Sequence, residues 1–270
     1  MSSPRGDGPK HRLRVEHWAA IRAAGAARFP GVEGRIPNFV GAEAAAARLA
    51  QTPEFIAARV IKCNPDLPQR PLRHAALKAG KLVLLAVPRL REARCFLALD
   101  PATLPPGSLW KASSIKGASV LGLPLAPEDV PAIDLVVSGC VAAGEDGSRL
   151  GKGGGYADLE YALLRATGAL DGSTPVATTV HDSQLHAAGG IPREPHDVGL
   201  TLIATPTRLV RPATPPGQPQ GIHWGALSPD RIAEMPPLAA RAAAHPSPDS
   251  SASSAPASPA SSSVPSPQDS

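Results

Sequence analysis

The sequence predicts an α/β fold built on a largely parallel sheet that is covered by helices. Four short apolar runs have the length of strands and show no polar alternation, which is typical of strands buried on both faces. Helical patterns lie between them, at residues 68–79 and 156–167. Strands that alternate with helices favour a parallel sheet. The four predicted strands span residues 80–88, 132–142, 175–182 and 200–207.

The N-terminal part is predicted to be mainly helical. Residues 10–28 place Leu13, Trp18 and Ile21 at helical spacing among basic residues, which indicates an amphipathic helix. A turn and a short Ala-rich helix follow, and a second helix or a strand is predicted near 53–62. With aromatic residues at only 3%, the core has to be aliphatic.

The C-terminal part differs in composition from the rest of the chain. Residues 246–270 are almost wholly Ser, Pro and Ala. Such a segment has too few large apolar side chains to form a core, and we predict a disordered tail. Residues 226–245 are rich in Pro and Ala, and we expect an extended segment that lies on the domain. Without the two aspartates of the tail, the formal net charge rises from +4 to +6. Such a charge suits an anionic small molecule and does not by itself indicate nucleic acid.

The cysteines and the hydropathy pattern bear on the compartment. The chain has an odd number of cysteines, and they are widely spaced: Cys63, Cys95 and Cys140. This usage favours a reducing, cytoplasmic environment. Cys140 lies in a predicted strand and is interpreted as a core thiol. No apolar run approaches the ~20 residues of a membrane helix, so we expect no membrane partner.

A cluster of glycines precedes the helical pattern at 156–167. "RLGKGGGY", residues 149–156, holds four glycines in five positions and follows a predicted strand. Ligands of parallel sheets bind where strands end and helices begin, and a helix N-terminus favours phosphate. Glycines allow close approach to the backbone, while Arg149 and Lys152 add positive charge. The stretch matches neither the P-loop nor the dinucleotide pattern, so a phosphate site and a flexible turn both remain open.

Several separated motifs resemble the 5-formyltetrahydrofolate cyclo-ligase family. "GSRLGKGGGYADLE" is similar to the family signature, "KHRLR" to its N-terminal basic pair, and "EPHDVGLTLIATPTRLV" to its late His-Asp segment. "RFPGVEGRIPNFVGAEAAAARL" and "TPVATTVHDSQ" resemble, more narrowly, the methenyltetrahydrofolate synthase domain-containing subgroup. The resemblance covers about residues 10–225, which we take as the cyclo-ligase-like domain. Animal members of the subgroup carry an RNA-recognition module after this domain. The Ser/Pro tail here has no RNP-like aromatic run, so we expect no nucleic-acid partner.

The resemblance implies a fold and a reaction. The fold would be a three-layer α/β/α sandwich around a twisted, mostly parallel sheet. The reaction would use ATP and Mg²⁺ to phosphorylate the formyl oxygen of 5-formyltetrahydrofolate. Attack by N10 and loss of phosphate would then give 5,10-methenyltetrahydrofolate. We expect a monomer that acts on a small molecule, a reduced folate or a related metabolite.

The resemblance also implies site residues. Lys10 and Arg14 would contact the nucleotide phosphates, and Asp158 and Asp197 would bind Mg²⁺, which prefers one or two carboxylates with phosphate oxygens. Asp66 and Tyr156 would bind the substrate, and the catalytic residues would be Lys10, Arg149 and Lys152. The nucleotide loop would consist of Arg149, Leu150, Gly151, Lys152, Gly153, Gly154, Gly155, Tyr156 and Ala157.

Three positions depart from the family pattern. Ala157 replaces the second tyrosine of the loop, Leu159 replaces an arginine, and Asp66 replaces a glutamate that contacts folate. These changes bear on the folate end of the site more than on the nucleotide end. Two alternatives therefore stand beside the cyclo-ligase hypothesis. One is a diverged relative that binds a nucleotide or phosphorylated metabolite and acts on another substrate, and the other is a non-enzymatic scaffold.

Overall fold

The computed structural model describes residues 8–244. The predicted tail at 246–270 lies outside the described residues. Among the helices of residues 8–244, none combines the length and the apolar content needed to cross a membrane. The α-helices are α1 (Pro9–Ala23), α2 (Ala42–Ala50), α3 (Pro53–Ala57), α4 (Arg70–Lys78), α5 (Leu109–Ala112), α6 (Ile115–Leu121), α7 (Tyr156–Ala166), α8 (Pro229–Ala233) and α9 (Pro236–Ala244).

The strands form two sheets. The larger sheet has eight strands in the order β11-β10-β8-β5-β1-β2-β3-β4, and the smaller has the order β7-β6-β9. The central pairs β10–β8, β8–β5, β5–β1 and β1–β2 are parallel, whereas the outer pairs are antiparallel. The strands are β1 (Val60–Cys63), β2 (Leu82–Ala86), β3 (Phe96–Leu99), β4 (Leu123–Leu125), β5 (Leu135–Val137), β6 (Ala142–Gly144), β7 (Arg149–Leu150), β8 (Val176–Thr179), β9 (Leu185–His186), β10 (Leu202–Ala204) and β11 (Leu209–Val210).

Both faces of the large sheet are buried. Successive side chains of a strand point to opposite faces. In β2, Leu84 packs in one apolar cluster with side chains of α7, while Val83 and Leu85 pack in another with side chains of α2 and α4. Helices therefore cover the sheet on both sides, and the predicted α/β/α sandwich with a mostly parallel sheet is confirmed.

The run predicted as one strand at 132–142 is divided between the two sheets, which corrects the prediction. Its first part is β5 in the large sheet, and its last residue begins β6 in the small one. The chain leaves the large sheet at Gly139, where a Cβ would lie 3.0 Å from carboxylate and amide oxygens of Asp66 and Gln69. Residues 151–155, called the glycine loop below, consequently follow β7 of the small sheet rather than the predicted strand.

Other predicted elements form close to where the sequence places them. Helices α1, α4 and α7 and strands β2, β8 and β10 are confirmed, and the segment near 53–62 holds both a helix and a strand. The segment 226–245 was predicted to be extended, but its described part, residues 226–244, contains α8 and α9. Met235 and Leu238 of this segment are fully buried, and that packing explains why the chain is helical there.

Candidate active site

The glycine loop presents unpaired backbone donors at the start of a long helix. Gly153 and Gly155 have φ of 101° and 67°, the left-handed region that favours glycine. Gly155 is the N-cap of the 11-residue helix α7. The backbone N–H groups of residues 152–157 donate to no acceptor within residues 8–244. These donors and the helix dipole together favour an anion at this point.

A polar cavity of about 200 Å³ opens beside the loop. It is smaller than the roughly 300–1,000 Å³ pockets that enclose whole drug-sized ligands, so its size suits one small charged group rather than a whole ligand of that kind. Four cationic side chains and three carboxylates surround it. Its lining residues are Lys10, Arg14, Arg149, Leu150, Gly151, Gly153, Gly155, Asp158, Glu194, His196, Asp197 and Arg231.

Two cations of the cavity are paired with carboxylates. Lys10 Nζ lies 2.6 Å from Oδ2 of Asp197 and 3.6 Å from Oε2 of Glu194. Arg149 is 4% exposed and pairs with Asp158, whose Oδ1 also accepts a 3.0 Å hydrogen bond from the Val198 backbone. Burial is the largest single influence and lowers the pKa of Arg149, but the ion pair with Asp158, together with the nearby Cys140 and Asp197, raises the pKa above its ordinary value.

The other two cations hold the loop by its carbonyl groups. Arg14 Nε donates to the Gly151 carbonyl at 2.7 Å, and Arg231 Nη2 donates to the Gly154 carbonyl. Burial lowers the pKa of Arg14, an effect that the charge of Asp197 partly offsets. Within residues 8–244, no carboxylate lies at ion-pair distance from either arginine. With four cationic side chains and three carboxylates, the lining of the cavity carries an excess of one positive charge.

Lys152 lies outside this lining and connects the loop to the predicted substrate side. Its Nζ is exposed and 3.2 Å from Oδ1 of Asp66. The backbone around Asp66 is fixed by the buried Arg73, whose guanidinium donates to the carbonyls of Asn64, Pro65 and Asp66 at 2.6–3.2 Å. A buried arginine that uses its donors on three successive carbonyls makes this turn rigid.

A buried polar network lies beneath the loop. Lys62 of β1 and Glu160 of α7 form an ion pair at 2.5 Å, and Asn64 Nδ2 donates to the same carboxylate oxygen at 2.9 Å. Asn64 Oδ1 accepts from the Gly139 N–H at 3.1 Å, and the Gly139 carbonyl accepts from Arg149 at 3.2 Å. The network ties α7, β1 and the end of β5 together, so the start of α7 is fixed relative to the sheet.

Most of the predicted site residues come together, and some do not. The cavity lining includes Lys10, Arg14, Asp158 and Asp197 and much of the loop. The predicted residues outside the lining are Asp66, Lys152, Gly154, Tyr156 and Ala157. The predicted substrate residues also have separate partners, because Asp66 pairs with Lys152 whereas the ring of Tyr156 faces Arg231. The roles assigned to all these residues remain predictions.

Sequence reasoning missed three residues of the lining. Glu194 and His196 precede the predicted Asp197 in "EPHD", and this segment resembles the family, so the signal was present. Arg231 had no sequence signal, since it lies in the segment expected to be extended. Its place in the cavity follows from how α8 packs.

Carboxylates and one imidazole could hold a cation here. Ligand atoms of Glu194, His196 and Asp197 lie within 4.8 Å of one another, and Asp158 lines the same cavity. Three carboxylates fit the preference of Mg²⁺ for oxygen ligands. Because Lys10 Nζ now lies against Asp197, a cation bound there would compete with the ammonium.

The fold and the cavity define an α/β protein in which a glycine loop at a helix N-terminus directs free backbone N–H groups towards a cavity lined by cations. The 5-formyltetrahydrofolate cyclo-ligase family model matches residues 9–206. The chain belongs to this family of ligases.

Similar proteins are known from several organisms. The chain is 38% identical to a methenyltetrahydrofolate synthase domain-containing protein of Bos taurus over 240 residues, which cover 87% of this chain and 62% of that protein. It is also 38% identical to the protein of the same name from Mus musculus, with 85% and 62% covered. The chain thus spans about three fifths of the length of these relatives. The NMR structure of Aquifex aeolicus 5,10-methenyltetrahydrofolate synthetase is 20% identical, with 80% of this chain and 98% of that chain covered and a TM-score of 0.49.

Proposed function

We propose that this chain converts 5-formyltetrahydrofolate to 5,10-methenyltetrahydrofolate in a reaction that consumes ATP and uses Mg²⁺. The γ-phosphoryl group of ATP is transferred to the formyl oxygen, N10 attacks the activated carbon, and phosphate leaves. Membership of the cyclo-ligase family supports the reaction class. The observation that carries the proposal is the set of free N–H groups at residues 152–157, which border a cationic cavity.

The residues around the cavity suit phosphoryl transfer, because that chemistry depends mainly on positioning and charge. Lys10 exchanges Asp197 for a phosphate oxygen, and Arg14 keeps the loop in place through the Gly151 carbonyl. Arg149 is too deeply buried to move freely, so it orients Asp158. Lys152, next to Asp66, places a positive charge between the nucleotide loop and the predicted folate side.

Asp158 and Asp197 are the residues that would hold Mg²⁺, with Glu194 within reach. When bound, the ion neutralises charge on the phosphate oxygens. On the protein side, Arg149 and the Val198 N–H both bind Oδ1 of Asp158, and they fix the direction of that carboxylate.

An absorbance assay for the methenyl product tests the proposal, with calorimetry of ATP binding alongside. We expect product formation by the wild-type chain and its loss in Lys152→Ala and Asp158→Ala. Lys116→Ala, which removes an exposed charge from α6, is the matched control and should remain active. A wild-type chain that is folded and binds no ATP would refute the proposal.

A second candidate is a diverged relative that binds a nucleotide or phosphorylated metabolite and acts on another substrate. The pairing of the shorter acid Asp66 with Lys152 favours it, since that carboxylate already has a partner on the loop. ATP binding without methenyl product would select this candidate. Absence of nucleotide binding would leave the scaffold hypothesis.

We further propose that the enzyme is a cytoplasmic monomer. The three cysteines are free and buried, which agrees with a reducing compartment. Burial raises the pKa of the Cys140 thiol to about 11, as befits a core residue rather than a nucleophile. Size-exclusion chromatography with light scattering tests the monomer, and a dimer mass would contradict it.

A further inference from the structure

Arg231 reaches the glycine loop from outside the matched family segment. The match to the family model ends at residue 206, whereas Arg231 lies on α8, beyond that segment. Its Nη2 donates to the Gly154 carbonyl, and its guanidinium carbon lies 5.5 Å from the centre of the Tyr156 ring. A Cβ added at Gly155 would lie 3.2 Å from the same Nη2. The guanidinium therefore rests directly on the loop.

The position of Arg231 is fixed by packing that is independent of the loop. Ser228 caps α8 by accepting a hydrogen bond from the Arg231 N–H, and Pro229 occupies the first turn. Immediately after α8, Met235 and Leu238 are buried in the cluster that also contains residues of α7. The two short helices thus anchor Arg231 against the element that carries the loop.

The contact with Gly154 has a consequence for the backbone. The C=O and N–H of one trans peptide point in opposite directions. Because Arg231 holds the Gly154 carbonyl, the N–H of Gly155 is directed away from the guanidinium. Arg14 does the same for the Gly151 carbonyl and the N–H of Lys152. The two arginines therefore orient donors at both ends of the loop.

Arg231 also has unused hydrogen-bonding capacity. Its Nε is buried and has no protein partner, and no carboxylate in the described part of the chain neutralises it. A guanidinium has five N–H donors, and a planar fork suits phosphate. A guanidinium with a free donor and no carboxylate partner, placed at the cavity beside the glycine loop, favours binding of an anion.

We propose that Arg231 is a positioning residue of the nucleotide site, supplied by the segment that follows the family domain. It orients the Gly154–Gly155 peptide and adds positive charge for the polyphosphate of a nucleoside triphosphate. This inference rests on the proposed function, because it assumes that the cavity takes ATP.

The experiment measures ATP·Mg²⁺ binding by calorimetry for the wild-type chain, Arg231→Met and Arg231→Lys. Loss of a charge-assisted contact predicts a Kd about tenfold or more higher for Arg231→Met. Arg231→Lys should recover part of the affinity, because it keeps the charge and loses the fork. In the cyclo-ligase assay, KM for ATP should rise in Arg231→Met more than kcat falls.

Arg241→Met is the matched control. It removes an arginine from the same segment, one that pairs with Glu128 at 2.6 Å and lies outside the cavity. Its ATP affinity should stay within about twofold of wild type. Thermal melts establish whether each variant is folded. If Arg231→Met does not fold, the ATP affinity of Arg231→Lys tests the role of Arg231.

The outcomes separate the two proposals. Wild-type binding of ATP with unchanged affinity in folded Arg231 variants would overturn the role of Arg231 alone. Failure of the wild-type chain to bind ATP would overturn both. ATP binding that depends on Arg231, without methenyl product, would support this role and refute the folate reaction.

Discussion

Lys10 Nζ lies 2.6 Å from Oδ2 of Asp197, although the two residues are 187 positions apart in the sequence. One comes from the first helix and the other from the loop before β10. The same oxygen of Asp197 also accepts a hydrogen bond from the N–H of Glu194, at 2.7 Å. The pair thus joins the two ends of the matched family segment at the wall of the cavity.

Lys10→Met should weaken ATP binding. An ammonium that can move from Asp197 to a phosphate oxygen contributes about 1.5–3 kcal/mol, which corresponds to a Kd at least about tenfold higher without it. Calorimetry measures this, with Lys116→Met as an exposed control on α6. Equal affinities for the two variants would contradict the assignment of Lys10 to the nucleotide.

Gly155→Ala should impair nucleotide binding more than its effect on stability explains. Gly155 has φ of 67°, and an added Cβ would lie against Arg231. Gly168→Ala is a matched control, since Gly168 has φ of 79° and open space around it. Both changes should cost about 1 kcal/mol or more of stability from the backbone alone. Only Gly155→Ala should raise the Kd for ATP, and a similar rise in Gly168→Ala would refute a special role for the loop.

Disruption of the Lys62–Glu160 pair should destabilise the protein strongly. Removal of one partner leaves a buried charge, which typically costs about 3–5 kcal/mol of unfolding free energy. We therefore expect Glu160→Leu to lower the midpoint of urea denaturation. The double variant Lys62→Met/Glu160→Leu should recover much of the loss, because it leaves no buried charge. A single variant as stable as wild type would show that the network does not fix α7.

Stability should fall at mildly acidic pH because of His17. Burial is the main cause that lowers its pKa, with His186 contributing and the Ser183 carbonyl opposing. The unfolded chain, with a His pKa of about 6.5, then binds more protons than the folded one. The stabilising contribution is present above that pH and is lost as pH falls through the folded pKa.

Melting curves between pH 8 and 5 check the effect of His17. The Tm of His17→Asn should fall less over this interval than that of the wild type. His223→Asn, at an exposed position, should follow the wild-type curve. Parallel curves for wild type and His17→Asn would assign the acid sensitivity to other groups.

The two parts of the C-terminal region should respond differently to change. Deletion of residues 246–270 should alter neither Tm nor ATP affinity, because Ser, Pro and Ala offer little to bury. Leu238→Ala should cost about 2–5 kcal/mol, since that side chain is fully buried. Differential scanning calorimetry distinguishes the two, and a large drop in Tm upon the deletion would show that the tail contributes to the fold.

The sequence by itself determined the fold class, most of the central elements and the glycine loop. These features depend on local signals. The unbroken apolar runs of β2 and β10 indicate burial on both faces, and a glycine cluster before a helical pattern is typical of an anion site. The sequence also indicated membership of the family, because the family's motifs recur in order along the chain.

Only the tertiary structure decided which charges meet. The partners Lys10 and Asp197, Arg149 and Asp158, and Lys152 and Asp66 follow from how helices and loops pack, and no local pattern encodes them. Packing between distant segments also explains the position of Arg231. Buried apolar side chains draw α8 and α9 onto α7, and that non-local packing places an arginine on the loop where composition predicted an extended segment.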